Sequence, residues 1–221
     1  MPDPPLPLFP LSDVVLFPGV QIPLHVFEMR YRQLARDVLT NTGCIGMVAV
    51  RPEHSSEMAG DPPVFAVGCR GTVIQSRARP DGRYDLLLRG DRRFRIDHEL
   101  PRSGSRLYRS AQVTLLEDAY PPSTRERVAA CRSEILERAV HALSREEQSD
   151  ATGSPIEYLK TTDDERFVNT LANSFRLPVE EKQLLLETND ISQRFELLAG
   201  ALEYWLQQND DAVVPGRRTL H

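Results

Sequence analysis

The sequence has few of the residues that cross-link small proteins or bind metals. Its 221 residues include three cysteines, and these are widely spaced. A disulfide framework would need an even number, and a zinc site would need closely spaced cysteines or nearby histidines. The five histidines are also scattered along the chain. We therefore expect three free thiols (Cys44, Cys69 and Cys131), no metal site and no cofactor.

Long apolar runs are also absent, although 40% of the residues are hydrophobic. No run approaches the roughly 20 apolar residues that a helix needs to cross a bilayer. The first five residues, Met-Pro-Asp-Pro-Pro, lack the basic start and the apolar stretch of a signal peptide. The sequence thus predicts a cytoplasmic protein without a membrane partner. Its length allows one large domain or two small ones.

No part of the chain carries a strong positive charge. Residues 1–120 hold 15 basic and 14 acidic residues, and residues 121–221 hold 12 basic and 18 acidic residues. Neither half offers the basic surface that neutralises phosphate groups, so we do not expect nucleic acid to be the main partner. The second half is instead distinctly acidic.

The stretch most suited to binding an anion is Arg89–Arg95, with the sequence RGDRRFR. Arginines interleaved with an aromatic ring can bind phosphate or stack on bases. Alternation along a strand, however, places Phe94 on one face and both Arg93 and Arg95 on the other, which is typical of a solvated barrel face. Binding of RNA or another anion is therefore an alternative, and a solvated surface is the preferred interpretation.

What the chain does have is an opening segment, residues 6–39, in which prolines punctuate an apolar sequence. The prolines are Pro7, Pro10, Pro18 and Pro23. They exclude one long helix, and we expect them to exclude a central strand, because proline cannot donate to a ladder. The segment instead predicts short strands that turn at Pro18-Gly19, followed by a helix that begins near Glu28.

Short strands separated by glycine and proline turns are predicted up to about Leu116. The predicted strands are Val14–Phe17, Ile22–Phe27, Ile45–Val50, Val64–Val67, Thr72–Arg77, Tyr84–Arg89, Phe94–Ile96 and Ala111–Leu116. Asp81-Gly82 supplies the positive φ of a tight hairpin between two of them. This pattern favours an antiparallel barrel that is closed or nearly closed.

From Pro121 onwards the apolar residues recur with the period of a helix. Asp190 is a predicted N-cap, and the acidic residues 163–165 fit the first turn of another helix. The sequence therefore predicts an α+β protein: a β-rich barrel with one inserted helix over residues 1–118 and a helical bundle over residues 119–206. Residues 207–221 are expected to form a flexible tail, and residues 148–153 a polar break.

The order of these motifs closely resembles the N-terminal substrate-recognition domain of the ATP-dependent Lon proteases. The opening segment carries the resemblance first, and the hairpin from Asp81 through Gly90-Asp-Arg-Arg-Phe-Arg-Ile96 continues it. Lys182-Gln-Leu-Leu-Leu-Glu187 and Asp190-Ile-Ser-Gln-Arg194 resemble the helices that close that domain. The resemblance implies a PUA-like β pseudo-barrel followed by an α-helical bundle.

The motifs of the rest of such a protease are missing from this sequence. A phosphate-binding loop needs Gly-x-x-x-x-Gly-Lys-[Ser/Thr], and Lys160-Thr161 lacks the glycines before it. No context for a Ser-Lys catalytic dyad is present, and a nucleophilic Cys44 would need a histidine close in space. We therefore expect a stand-alone domain without the ATPase and protease domains, with no catalytic residues.

The resemblance implies a module that binds unfolded or damaged polypeptide in an apolar groove, and the cleft between barrel and bundle is its expected place. Met29 and Met47 are candidate adaptable contacts, and Tyr31 is a candidate amphipathic contact. The alternative for all three residues is a place in the core. Other functions stay open: an adaptor that docks on a protease or another complex, and a small-ligand sensor or enzyme of unrecognised type in the barrel pocket.

Overall fold

The computed structural model describes residues 4–143 and 155–209. The strands are β1 Leu6–Leu11, β2 Gln21–Val26, β3 Cys44–Ala49, β4 Val67–Ala78, β5 Tyr84–Glu99 and β6 Ser110–Leu115. The helices are α1 Met29–Thr40, α2 Arg125–Leu143, α3 Pro155–Thr161, α4 Asp164–Ser174, α5 Val179–Glu187 and α6 Ile191–Asn209. The predicted α+β fold is thus confirmed, with one helix inside the β-rich half. Residues 210–221 of the predicted tail and the predicted break at 148–153 lie outside the described residues, whereas 207–209 continue α6.

The strands form one sheet that closes on itself. Their order is β2-β5-β4-β3-β1-β6, and a further pairing between β5 and β6 joins the two sides. Closure depends on the 16-residue strand β5, which pairs with β4 from Tyr84 to Arg95, with β2 over residues 84–89 and with β6 from Phe94 onwards. Among the described strands, β1 and β3 pair in parallel and the other pairs are antiparallel. The predicted pseudo-barrel is therefore built around one shared long strand.

Strand β1 departs from the prediction, because it has a neighbour on each side despite its two prolines. It pairs with β3 through Leu8–Leu11, and with β6 through its first two residues. The Leu8 N–H donates to the Arg109 carbonyl on the β6 side. Successive amides of a strand alternate in direction, so the Pro10 nitrogen faces that same side, beyond the end of the β6 pairing. The missing N–H of Pro10 leaves no ladder bond unmade, and the expectation that these prolines exclude a central strand is wrong.

The segment 14–17, predicted as a strand, is an irregular buried crossing between β1 and β2. Val15, Leu16 and Phe17 are each at most 4% exposed, but the segment has no strand partner. Its apolar residues fill the core rather than one face of a ladder. The predicted turn after it is confirmed: the Val20 N–H donates to the Phe17 carbonyl, and Gly19 has a φ of +81°. A residue with a side chain would be strained at that φ.

Two further strand predictions need adjustment. The predicted strand Val64–Val67 is reduced to a single bridge between Val64 and Val50, and β4 begins only at Val67. The predicted strands on either side of Gly82 are longer than expected, because β4 and β5 together form one extended hairpin. The tight turn itself is confirmed, with a φ of +80° at Gly82.

Carboxylate side chains cap two helices of the bundle. The Asp163 carboxylate accepts from the Arg166 N–H at 2.8 Å, at the start of α4. The Asp190 carboxylate accepts from the N–H groups of Ser192 and Gln193, which confirms the predicted N-cap of α6. No helix in residues 4–143 and 155–209 is long and apolar enough to cross a membrane.

One hydrophobic cluster runs through both halves of the molecule. It includes Phe17 and Leu88 of the β-rich half together with Phe167 of α4 and Phe195 of α6. The rings of Phe167 and Phe195 stack with their centroids 5.6 Å apart. The boundary predicted at residue 118 therefore falls within a shared core, and the division into two domains stays a prediction.

Candidate functional site

A cleft of about 800 Å³ lies between the barrel and helices α3 and α4 of the bundle. The Pro18-Gly19 turn forms part of its wall, β4 and β5 contribute one side, and α3 and α4 contribute the other. Its charged and aromatic lining residues are Arg70, Arg89, Asp91, Arg92, Tyr158, Asp163, Glu165 and Arg166. The volume is in the range of ligand sites. The cleft lies where the resemblance placed a binding site, but it is lined mainly by charged side chains rather than by apolar ones.

A buried cluster of charges, the Asp118 cluster (Arg93, Asp118 and Arg194), joins the barrel to the bundle next to this cleft. Arg93 is 2% exposed and Arg194 is fully buried. The Asp118 carboxylate forms ion pairs with both guanidinium groups, and it accepts two hydrogen bonds from Arg194, at 2.8 and 3.1 Å. Two charges are costly to bury unless they are paired, and a shared carboxylate supplies that pairing.

The burial of Arg93 corrects the sequence interpretation, which placed this residue on a solvated face. The bundle covers that face of β5, and Arg93 donates to the Leu186 carbonyl at 2.9 Å and to the Asn189 side chain at 3.0 Å. Burial lowers the pKa of Arg93, and the Asp118 charge opposes this effect. Arg95, two residues further on, is exposed as predicted.

The turn beside the cleft is fixed to the bundle by a buried amide. Asn169 of α4 is fully buried, and its Nδ2 donates to the Pro18 carbonyl at 3.2 Å. Its Oδ1 accepts from Arg194 at 3.2 Å. The Asp118 cluster, the turn and α4 are thus one connected polar network, which holds the cleft wall in place.

On the barrel side of the cleft, Arg70 of β4 and Arg92 of β5 are register partners. The register shifts between Arg70 and Gly71, where Asp91 is the extra residue of a β-bulge. Asp91 accepts a short hydrogen bond from the Thr72 hydroxyl. The bulge therefore turns Asp91 towards its own sheet and leaves the two arginines side by side on the cleft wall.

Glu165 of α4 lines the cleft from the bundle side. Its pKa is raised, first by burial and then by the nearby Asp118 charge, while Arg194 acts in the opposite direction. The neighbouring acidic residues have structural partners: Asp163 caps the helix, and Asp164 bonds both Tyr120 and Arg132. Glu165 is thus the carboxylate of this helix turn that is directed to the cleft without a hydrogen-bond partner among the described residues.

The three residues singled out from the sequence do not lie together. Met29 is 69% exposed at the start of α1. Tyr31 is 6% exposed and stacks on Phe9 with centroids 4.3 Å apart, and burial raises its pKa. Met47 is 2% exposed inside the barrel. Met29 is therefore accessible to a ligand, whereas Tyr31 and Met47 belong to the hydrophobic core in this conformation.

Phe27 was missed by the sequence reasoning, although the signal was present. Ile22, Leu24 and Val26 of β2 are buried, so the alternation of the strand directs residue 27 outwards. Phe27 is 60% exposed and stacks against the exposed His25 ring, with centroids 6.1 Å apart. Phe27 and Met29 together form an exposed apolar patch at the junction of β2 and α1, which we call the 27/29 patch.

Residues with catalytic potential lack the necessary neighbours in the described parts of the chain. Cys69 is fully buried, and burial raises the pKa of its thiol, so it is a poor nucleophile. Cys44 contacts the Thr72 hydroxyl. His25 pairs with Asp85, and His54 pairs with Glu57. Within residues 4–143 and 155–209, no group of three or more His, Cys, Asp and Glu side chains is placed to hold a metal ion.

The closed sheet with its attached bundle defines an α+β domain of the type found at the N-terminus of Lon proteases. A family model described as the ATP-dependent protease La (LON) substrate-binding domain matches residues 5–203, and the chain belongs to this family. A crystal structure of a Lon N-terminal domain protein from Xanthomonas campestris is 26% identical, with a TM-score of 0.62, and the match covers 90% of this chain and 98% of that one. The N-terminal domain of a Mycobacterium avium complex Lon protease, 19% identical, shares the fold with a TM-score of 0.70 over 90% and 98% of the two chains.

The curated relatives are longer proteins. The chain is 26% identical to the Lon protease of Cytophaga hutchinsonii over 86% of its own length and 23% of that protein. It is 29% identical to the Lon protease of Escherichia coli K12, over 90% of this chain and 24% of the relative. The chain thus spans about a quarter of the length of the curated relatives that it matches.

Proposed function

We propose that this chain is a non-catalytic domain that binds unfolded or partly folded polypeptide segments. The observation that carries the proposal is the match of residues 5–203 to the LON substrate-binding domain family. The described residues add no catalytic constellation that would favour the alternative of an enzyme. Cytoplasmic residence and docking on a protease or another complex stay predictions.

The 27/29 patch is the proposed contact for apolar segments of such a polypeptide. An unfolded chain exposes large apolar side chains, and a receptor gains free energy by covering them with apolar surface of its own. The thioether of Met29 is flexible and polarizable, which suits contacts with varied side chains. Phe27 adds a large ring that is 60% exposed, although His25 stacks against it. Tyr31, which is buried and stacks on Phe9, is not part of the proposed contact surface.

The segment around the patch is held firmly, so the two side chains are presented from a rigid base. Arg30 donates to the Glu28 carboxylate at 2.9 Å and to the Gly60 carbonyl at 2.7 Å. Its guanidinium carbon also lies 4.6 Å from the centre of the Tyr31 ring. A rigid base lowers the entropy lost on binding.

The test is binding of the intact chain to a reduced and carbamidomethylated model protein, which cannot refold, followed by fluorescence anisotropy. We expect binding in the micromolar range, and a loss of about thirtyfold in affinity in the double variant Phe27→Ser/Met29→Ser, since each substitution removes about 1 kcal/mol of apolar contact. The affinity of the wild-type chain for the folded form of the same model protein should be no higher than the affinity of the double variant for the unfolded form.

The matched control is Leu184→Ser/Tyr204→Ser, because these side chains are 51% and 59% exposed on α5 and α6. The control should bind like the wild type. Absence of any binding to the unfolded protein would refute the proposed function. Equal losses in the two double variants would refute the assignment of the 27/29 patch.

A further inference from the structure

Two arginines on the barrel wall of the cleft stand opposite one another, and neither forms an ion pair with a carboxylate of the described residues. Arg70 and Arg92 are register partners on β4 and β5. Side chains of register partners lie on one face with Cβ atoms about 5 Å apart, and like charges in that position destabilise a sheet. The sheet therefore holds two positive charges together at a cost, next to a cavity of ligand size.

The other charged groups of the cleft do not pair with Arg70 or Arg92, so they do not offset the repulsion between these two side chains. The Nε of Arg166 lies 3.5 Å from a carboxylate oxygen of Asp163. The Nε of Arg89 lies 3.9 Å from a carboxylate oxygen of Asp91, and the other oxygen of Asp91 accepts from the Thr72 hydroxyl. Within residues 4–143 and 155–209, neither the Arg70 nor the Arg92 side chain forms an ion pair or a hydrogen bond. In addition, the Nε of Arg70 is buried and has no hydrogen-bond partner. A buried N–H of this kind costs free energy unless a ligand accepts from it.

We infer that Arg70 and Arg92 bind a carboxylate side chain of an acidic polypeptide segment in the barrel–bundle cleft. The inference rests on the proposed function and adds a preference for acidic sequence to it. Guanidinium groups present paired N–H donors that match the two oxygens of a carboxylate, and two adjacent forks can hold one carboxylate between them. The bound carboxylate removes the repulsion between the arginines and supplies the acceptor that the Arg70 Nε lacks.

The opposite wall favours a peptide over a small free anion. Glu165 faces the cleft from α4, and its charge would repel an anion that carries no donor group. An acidic peptide brings backbone N–H donors beside its carboxylate, and these can bond Glu165 while the carboxylate bonds the arginines. Tyr158, 48% exposed at the cleft, offers an amphipathic surface for the neighbouring side chains of such a segment.

The cleft and the 27/29 patch are separate enough to be tested independently. Gln21, at the start of β2, lines the cleft, whereas Phe27 follows the end of the same strand. Six residues of strand span about 20 Å. A substitution at one site therefore leaves the contacts of the other unchanged.

The experiment measures binding of two labelled eight-residue peptides to the intact chain by fluorescence anisotropy at low and physiological salt. One peptide has a central Asp-Glu pair, and the other has Asn-Gln at the same positions. We expect the acidic peptide to bind about tenfold more tightly, the value of one charged hydrogen-bonded contact. The double variant Arg70→Gln/Arg92→Gln should lose this difference. The single variant Arg92→Gln, at an exposed position, should lose most of it and serves if the double variant is unstable.

The matched control is Arg77→Gln/Arg95→Gln, which removes two exposed arginines from the same strands outside the cleft. It should keep the preference for the acidic peptide. Equal affinity of the wild type for both peptides would overturn the inference, as would a preference that survives in Arg70→Gln/Arg92→Gln or disappears in the control. Competition by inorganic phosphate at the concentration of the peptide would also overturn it, because the site would then be one for small anions.

These outcomes are distinguishable from failure of the proposed function. An unfolded protein that binds through the 27/29 patch, together with equal affinities for the two peptides, would leave the proposed function in place and remove only the acidic preference. Peptide discrimination that depends on Arg70 and Arg92, without any binding of unfolded protein, would support the carboxylate site and refute the proposed function.

Discussion

Two pairs of arginines at the barrel–bundle junction each include one of two neighbouring residues of β5, Arg92 and Arg93, but the two pairs lie in different environments. Arg93 turns into the interior and shares Asp118 with Arg194. Arg92 turns into the cleft beside Arg70, where no carboxylate of the described residues forms an ion pair with either side chain. The first pair is buried and shares the Asp118 carboxylate as a counter-charge, whereas neither side chain of the second pair forms an ion pair with a described residue. The fold thus supplies a counter-charge to the interior arginines, and we propose that a ligand supplies one to the arginines of the cleft.

The largest effect is expected from removing the shared carboxylate of the interior pair. Asp118→Ala would leave two buried guanidinium groups without their counter-charge, and the expected loss in the free energy of unfolding is about 3–5 kcal/mol. Urea denaturation of the wild type and the variant measures this difference. A loss below about 1 kcal/mol would show that water or other groups replace Asp118. It would contradict the structural role assigned to the interior arginine pair.

The next largest effect is expected at the amide that ties the interior pair to the cleft wall. Asn169→Ala removes the amide that donates to the Pro18 carbonyl and accepts from Arg194. Both partners stay buried and lose this hydrogen bond. We expect a loss of about 1–3 kcal/mol in the free energy of unfolding, measured in the same way. Ser174→Ala, at an exposed position of the same helix, is the control and should stay close to the wild type. Similar values for the two variants would contradict the assigned network.

The cleft pair should behave in the opposite way. Arg70→Gln/Arg92→Gln removes the repulsion between register partners, so the free energy of unfolding should stay within about 1 kcal/mol of the wild type or rise slightly. A loss as large as that of Asp118→Ala would show that the cleft arginines are structural, and the distinction between the two pairs would disappear.

The smallest effect is expected at Glu165, and it depends on pH. Burial raises the pKa of Glu165 above its ordinary value of 4.5. The folded state therefore binds this proton more tightly than the unfolded state, and the associated stability is present below pH 4.5 and lost as the pH rises through the folded pKa. Glu165→Gln should be more stable than the wild type by up to about 0.5 kcal/mol at pH 7, with no gain near pH 4. A gain that is independent of pH, measured from denaturation curves at both values, would contradict this account.

Much of the fold could be predicted from the sequence because local signals and the long-range arrangement agree. The Asp81-Gly82 turn, the Asp190 cap and the outward direction of alternate β2 residues each follow from chemistry within a few positions of the chain. The prolines of β1 led to the wrong prediction that this segment is not a central strand, because their effect depends on which neighbouring strand each missing N–H would have faced. That is a property of the sheet closure and not of the segment.

The candidate site was harder to predict than the fold. Alternation alone places Arg93 on a solvated face, and only the bundle, contributed by residues far along the chain, buries it. The pairing of Arg70 with Arg92 depends on the single extra residue Asp91, which shifts the register of the hairpin. A one-residue shift leaves no mark in composition or periodicity. The exposure of Phe27, in contrast, could have been predicted from the alternation of buried and exposed residues along β2.

We propose that this chain binds unfolded polypeptide at the junction of β2 and α1. Photocrosslinking tests it most directly, with a benzophenone-bearing residue in place of Met29 in the intact chain and, separately, in place of Tyr204 on α6. With a reduced and carbamidomethylated model protein, the account predicts adducts from position 29 that an excess of unlabelled unfolded protein suppresses, and few from position 204. Equal yields from the two positions, or none from position 29, would contradict it.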